Sequence, residues 1–226
     1  MEIIKAENVG YVYKTKYQKI EAVKNMTCSF ETGKIYSIVG ESGSGKSTFL
    51  SLLAGLDLPS SGALYIQGED IRSIDRDKYR MEKASVVYQL FHLFPLLTAL
   101  ENVMFPMTLK GVPIKEAKAK AKELIIKVGL GEKILKQFPQ MMSGGEQQRV
   151  AIARAMASGG NILLADEPTG NLDTKNEVHI VNLLKALAHE ENYSVIVVTH
   201  NPKVASETDM ILRMQDGILI EVQKND

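Results

Sequence analysis

Gly40-Glu41-Ser42-Gly43-Ser44-Gly45-Lys46-Ser47 follows the short apolar run Lys34-Ile35-Tyr36-Ser37-Ile38-Val39 and leads into a helical stretch over residues 47–54. The octapeptide matches G-x-x-x-x-G-K-[ST], and it lies between strand and helix, where that pattern cradles phosphate. Its glycines let the backbone curl so that successive N–H groups converge on phosphate oxygens, and the helix behind adds its positive end. Lys46 supplies a mobile ammonium for the outer phosphates of a nucleotide, and Ser47 a hydroxyl for magnesium. Gly40, Glu41, Ser42, Gly43, Ser44, Gly45, Lys46, Ser47 and Thr48 are therefore the candidate nucleotide contacts. The alternative is a Gly/Ser-rich turn with no ligand. A chance match in a chain of 226 residues is about one per cent, and the strand–helix context lowers it further.

Around this loop the chain reads as α/β. Strand signals occupy 2–9, 10–13, 22–30, 63–67 and 84–88. From about 90 to 158 they vanish: residues 115–128 carry Ala117, Ala121, Leu124, Ile125 and Val128 at helical spacing, and 149–157 is a second helix. The α/β pattern returns with strands at 161–165 and 194–199 around a helix at 174–189, where Thr174 and Glu177 fit a capping box. Asp216-Gly217 between two apolar runs predicts a hairpin. The expectation is one unit over 1–226, with β subdomain and α/β core from 1–89 and 159–226, and a helical insert at 90–158.

Composition narrows the class. Apolar residues make up 45% and charged residues 24%, the balance of a globular protein. Lys plus Arg and Asp plus Glu both number 27, so no basic excess points to nucleic acid. No apolar run reaches the roughly 18 residues of a membrane span, and the start lacks the pattern of a signal peptide. The single cysteine, Cys28, fits a reducing compartment. The expected location is the cytosol, or the cytoplasmic surface of a membrane reached through some other protein.

Two more strand ends carry polar groups. Ile162-Leu163-Leu164-Ala165 runs into Asp166-Glu167, and in a parallel sheet such an end lines the ligand crevice. Asp166 suits magnesium held through water, and Glu167 suits taking a proton from an attacking water. Val195-Ile196-Val197-Val198-Thr199 ends in His200, placed to orient the outer phosphate and that water; alone it would be an ordinary surface histidine. Met142-Ser143-Gly144-Gly145-Glu146 opens the helix after the insert and is a second anion site by the logic of the first, or simply an N-cap with a flexible turn. Two phosphate sites exceed what one small chain needs. A head-to-tail pair, each chain lending Ser143–Glu146 to the other, resolves the excess.

The order phosphate loop, single Gln, Ser-Gly-Gly-Glu, Asp-Glu, Asp, His resembles the ATPase subunits of ABC transporters over nearly the whole chain. The resemblance implies a P-loop NTPase fold (RecA-like core sheet) with an N-terminal antiparallel β subdomain and an inserted helical subdomain. It implies ATP and Mg2+ as ligands, and a homodimer. Adenine would stack on Tyr13, with Tyr11 on the same face and Tyr17 nearby as alternatives. Gln89 would touch magnesium and signal to the insert, joining Glu167, His200 and Lys46 as the catalytic set and Ser47 and Asp166 at the metal. Ser143, Gly144, Gly145 and Glu146 would bind the partner's ATP, with Met142 where Leu is usual and Glu146 where Gln is usual. Asp173 would couple the two sites.

Residues 88–103 and 166–173 are similar to a narrower subgroup of macrolide exporters, lipoprotein-release systems and antimicrobial-peptide resistance systems. There the partner is a separate permease with a large extracytoplasmic domain. Phe91, Phe94, Leu96 and Leu97 would receive its short cytoplasmic helix, with the last three the most exposed. An ATPase motor for export or release is the first expectation. The alternative is a switch that regulates a membrane complex, as in cell-division relatives, without transport.

Overall fold

The computed structural model describes residues 1–224. In chain order the elements are β1 (Glu2–Lys14), β2 (Lys19–Glu31), β3 (Lys34–Val39), α1 (Lys46–Leu53), β4 (Ser61–Ile66), β5 (Glu69–Asp70), α2 (Arg76–Glu82) and β6 (Ala84–Tyr88). There follow α3 (Ala99–Leu109), α4 (Ile114–Lys127), α5 (Gly144–Ala157), β7 (Ile162–Asp166), α6 (Thr174–His189), β8 (Ser194–Val198), α7 (Pro202–Ser206), β9 (Met210–Gln215) and β10 (Ile218–Lys224). The two opening strand segments are thus one strand, and the second glycine motif starts its helix five residues before 149.

Two sheets form. One has the order β2-β1-β4-β5, antiparallel throughout; the other has the order β10-β9-β3-β8-β7-β6. In the second sheet β9, β3, β8, β7 and β6 run parallel, and only β10 turns back. The period-2 alternation of these strands divides the apolar residues between two cores. Ile35, Val87, Leu163, Ala165, Val195 and Val197 face α3–α6, while Ile38, Leu164, Ile196 and Val198 face α1 and the antiparallel sheet. Both faces of the parallel strands are covered, which is why they read as near-continuous apolar runs.

Because the strands are parallel, β3, β7 and β8 finish at one edge, and the loops that follow them carry the polar residues singled out above. The hairpin forms as predicted: Asp216 and Gly217 both have positive φ, 50° and 81°. Its turn is stitched inward, with Gly217 N donating to Ser44 O and Lys24 N to Gly217 O.

One expected cap is different. Thr174 and Glu177 do not form the capping box; Asp173 is the N-cap of α6 and accepts from Asn176 N at 2.8 Å. Glu177 instead accepts from Asn201 Nδ2, 2.7 Å away across the sheet edge. Among the described residues no helix is long and apolar enough to cross a membrane.

Candidate functional site

A cleft of about 1000 Å³ opens where β3, β7 and β8 end. The phosphate loop forms its floor, Asp166, Glu167 and His200 form one wall, and Tyr13, residues 20–22, Lys24, Asp216 and Gly217 form the other. Residues 33 to 160 positions apart in sequence, such as Glu167 with His200 and Gly40 with His200, meet here because three parallel strands deliver them to one edge.

The loop's backbone is left-handed at Gly45, φ 98°, where a Cβ would lie 2.2 Å from Ala22 O. Only glycine fits. Lys46 is buried, and its Nζ donates to Gly40 O and Glu41 O, each at 2.8 Å. The chain thus folds over its own ammonium. Helix α1 has no side-chain N-cap and no acidic residue in its first turn, so its positive end is left to whatever enters the cleft. Among the described residues Ser44 Oγ is buried without a hydrogen-bond partner. An orphan hydroxyl, an uncapped helix and a lysine with one proton still to place suit a phosphate chain.

Ser47 Oγ lies 3.3 Å from Asp166 Oδ1. Burial raises the Asp166 carboxyl above its ordinary value; the Ser47 hydrogen bond opposes this, and the Glu167 charge adds to the rise. A hydroxyl and a partly desolvated carboxylate that close together are hard oxygen donors with an unmet demand for positive charge, and they suit Mg2+.

Glu167 has φ 48°, an uncommon conformation for a side chain of its size. The strain is held by Glu167 N donating to Val198 O and by Gly170 N donating to Glu167 O. It turns the carboxylate toward His200, whose Nδ1 lies 2.8 Å from Glu167 Oε1. The imidazole is otherwise open, with 71% of the side chain exposed.

Of the three tyrosines, Tyr13 alone borders the cleft, and its hydroxyl is 3.2 Å from Thr48 Oγ1. Tyr11 packs edge-on against Tyr13 at 4.9 Å, and Tyr17 is almost wholly exposed.

Several expected residues stand elsewhere. Gln89 does not border the cleft; its Nε2 donates to Asn171 Oδ1 at 3.4 Å, and Asn171 Nδ2 returns a bond to Gln89 O. Ser143, Gly144, Gly145, Glu146 and Asp173, expected to serve a partner's ATP rather than this cleft, do not border it. At the second glycine motif Ser143 is the N-cap of α5, and Glu146 completes a capping box. The Glu146 carboxylate accepts from Ser143 N and from Ser143 Oγ, both at 2.8 Å. The helix end expected to take an anion already holds one, from its own side chain.

In the apolar segment Leu96 is 86% and Phe94 40% exposed, but Leu97 is half-buried and Leu90 is 68% exposed. The cause is Asn102, fully buried in α3. Its Oδ1 accepts from Phe94 N and its Nδ2 lies within 3.1 Å of the carbonyls of Phe94, Leu97 and Thr98, which winds the segment inward at Leu97. Arg154 does the same for the preceding turn, donating to Phe91 O and His92 O, two residues with positive φ. Neither Asn102 nor Arg154 carries a signal in the sequence, since each works through partners reached only after folding.

Comparison with known proteins gives concordant results. The family model described as ABC transporter matches residues 23–170. The chain is 43% identical to the lipoprotein-releasing system ATP-binding protein LolD of Saccharophagus degradans, over 96% of each chain. It is 40% identical to the macrolide export ATP-binding/permease protein MacB of a Shewanella strain, over 92% of this chain and 32% of that longer one. The dimeric structure of MJ0796, an ABC transporter cassette of Methanocaldococcus jannaschii, matches with a TM-score of 0.91, 40% identity and 99% of both chains covered. A dimeric post-hydrolysis state of MJ0796, bound to ADP and Pi, matches equally well.

Proposed function

Because the chain belongs to the ABC transporter ATP-binding family and is an ATPase of that type, we propose that two copies close head to tail around two ATP molecules and drive a separate permease. The observation that carries the reading is the division of the site. Lys46, Ser47, Asp166, Glu167 and His200 surround one cleft, while Ser143–Glu146 and Asp173 of the same chain stand outside it. Each chain then has half a site in two places, and a second copy in reversed orientation joins the halves.

In this reading the loop N–H groups and Lys46 hold the β and γ phosphates, and Tyr13 packs on adenine. Ser47 and Asp166 would hold Mg2+, which when bound neutralises phosphate charge; Gln89 would join them only by turning from Asn171. Glu167 takes the proton of the attacking water, and His200, paired to it through Nδ1, steadies the carboxylate and faces the outer phosphate. Phosphoryl transfer of this kind is mostly positioning and charge stabilisation. On closure Ser143 must exchange the Glu146 carboxylate for the partner's γ-phosphate, so release of that capping box is part of the stroke.

Ser143→Ala tests the shared site. The variant should bind ATP as a monomer like the wild type, because Ser143 does not border its own cleft, and should need about tenfold or more ATP to dimerise, a hydrogen bond to a charged group being worth about 1.5–3 kcal/mol. Nucleotide binding by fluorescence and mass by sedimentation separate the two. Undiminished dimerisation would remove Ser143 from the partner's site.

The proposed cargo takes its direction from the relatives: the names of LolD and MacB favour release of a lipoprotein or export of a macrolide, and the subgroup resemblance adds an antimicrobial peptide, through a permease docked near Phe91, Phe94, Leu96 and Leu97 on the cytoplasmic side. ATP-dependent cargo accumulation in vesicles holding this chain and its permease is the expected result. Hydrolysis with no movement of any cargo would favour a regulatory switch instead.

A further inference from the structure

We infer that Asn176 is a positioning residue that clasps the Ser143 helix to the Asp173 loop, so that both groups reach the partner's nucleotide as one body. The inference rests on the head-to-tail reading above and deepens it. Ser143 begins α5 and Asp173 caps α6, two helices far apart in sequence, and neither residue touches the other directly in any hydrogen bond of the described residues.

Asn176 joins them. Its Nδ2 donates to Asp173 Oδ2 at 2.8 Å, and its backbone N donates to Asp173 Oδ1 at 2.8 Å. Its Oδ1 accepts from Arg149 Nη1 on α5 at 3.3 Å. The amide therefore sits with its NH2 on a carboxylate and its oxygen on a guanidinium; the flipped orientation would set like against like at both ends. Arg149 has need of that oxygen. Burial holds its pKa below the ordinary arginine value and its Nε is buried without a partner, so Asn176 Oδ1 is the one side-chain acceptor it has among the described residues.

The fit is close enough to dictate a neighbour. A Cβ on Gly145 would lie 2.2 Å from Asn176 Oδ1 and 2.4 Å from Asn176 Cγ. The second glycine of the motif is thus the gap through which the amide passes, in addition to any role in approaching phosphate. Asn176 does not border the cleft of its own chain.

A residue that only capped α6 would also bond Asp173, so the test separates the cap from the clasp. In a Glu167→Gln background, Asn176→Ala and Asn176→Asp are compared with the parent by sedimentation across an ATP titration. Aspartate keeps the size and the acceptor for Arg149 but places a second carboxylate on Asp173. Asn176→Ala should require about tenfold more ATP to dimerise, two hydrogen bonds being lost on each side of the interface, and Asn176→Asp, which opposes only the Asp173 bond, about threefold or more, while a fluorescent ATP analogue binds each monomer within about twofold of the parent. In the otherwise wild-type chain the ATP concentration for half-maximal turnover should rise in step with that for dimerisation, with kcat at saturating ATP less affected. Closure by both variants at the parent's ATP concentration would overturn the clasp. So would normal closure by Asn176→Asp with loss in Asn176→Ala, which would show that the bond to Asp173 is not needed and that Asn176 does not join the two elements. A parent that stays monomeric in Mg-ATP would overturn the head-to-tail reading itself, and the clasp with it.

Discussion

Replacing Glu167 with glutamine is expected to leave ATP binding intact and to slow hydrolysis by about 10²–10⁴-fold, the usual contribution of a positioned general base. The amide can still accept from His200 Nδ1 through its oxygen, so the 2.8 Å contact survives, and the left-handed backbone at this position is held by Val198 O and Gly170 N rather than by the side chain. What the amide lacks is a lone pair basic enough to take a proton from water. The substitution also removes the negative charge beside Asp166 that helps to raise the Asp166 carboxyl. Asp166 should then ionise more readily, and the hold on Mg2+ should not weaken. Binding and chemistry separate cleanly in this variant: single-turnover hydrolysis falls while the ATP concentration for half-saturation stays put. Turnover at the wild-type rate would take Glu167 out of the mechanism.

Lys46→Ala should act on the other quantity. The ammonium is buried between Gly40 O and Glu41 O, and its loss removes the positive charge of the phosphate loop and leaves two carbonyls without their donor. Charge-assisted hydrogen bonds of this kind are worth about 1.5–3 kcal/mol, which corresponds to roughly 10–150-fold in ATP affinity. Calorimetric titration of ATP into the variant measures it, with a thermal melt alongside to show that the chain is folded. ATP bound with wild-type affinity would contradict the assignment of residues 40–48 to the phosphates.

What the sequence made legible is what is encoded locally. The phosphate loop, its strand and its helix are contiguous, and so is the Asp216-Gly217 turn; each is dictated by short-range sterics and needs no partner. Apolar runs marked β3, β7 and β8 because both faces of those strands are covered. The start of α6 was harder. Asp173-x-x-Asn176 and Thr174-x-x-Glu177 are overlapping capping patterns one residue apart, and the choice between them is settled by Asn201, which takes the Glu177 carboxylate from across the sheet edge. Leu97 looks as exposed as Leu96 in sequence; the buried amide of Asn102 decides otherwise. Choosing among Tyr11, Tyr13 and Tyr17 at the cleft likewise required β1 to be folded against α1.

The site shows the same division. Residues that end strands were found, because a strand end is a local event that topology then turns into a shared edge. Residues that tie one loop to another were not, because Arg154, Asn102 and Asn176 are ordinary members of amphipathic helices until their partners arrive from 5 to 63 positions away. The Glu146 capping box lies between. Its pattern was visible as Ser143-x-x-Glu146, yet its consequence, an anion already seated on the helix end expected to receive one, depends on the second role of that helix.

The central claim is that the site is completed only by a second copy. Sedimentation of the Glu167→Gln protein saturated with Mg-ATP tests it most directly: a species of twice the chain's 25.0 kDa mass is predicted, reverting to single chains when Mg2+ or ATP is withdrawn. A single chain persisting at saturating Mg-ATP, alone and on its permease, would contradict it.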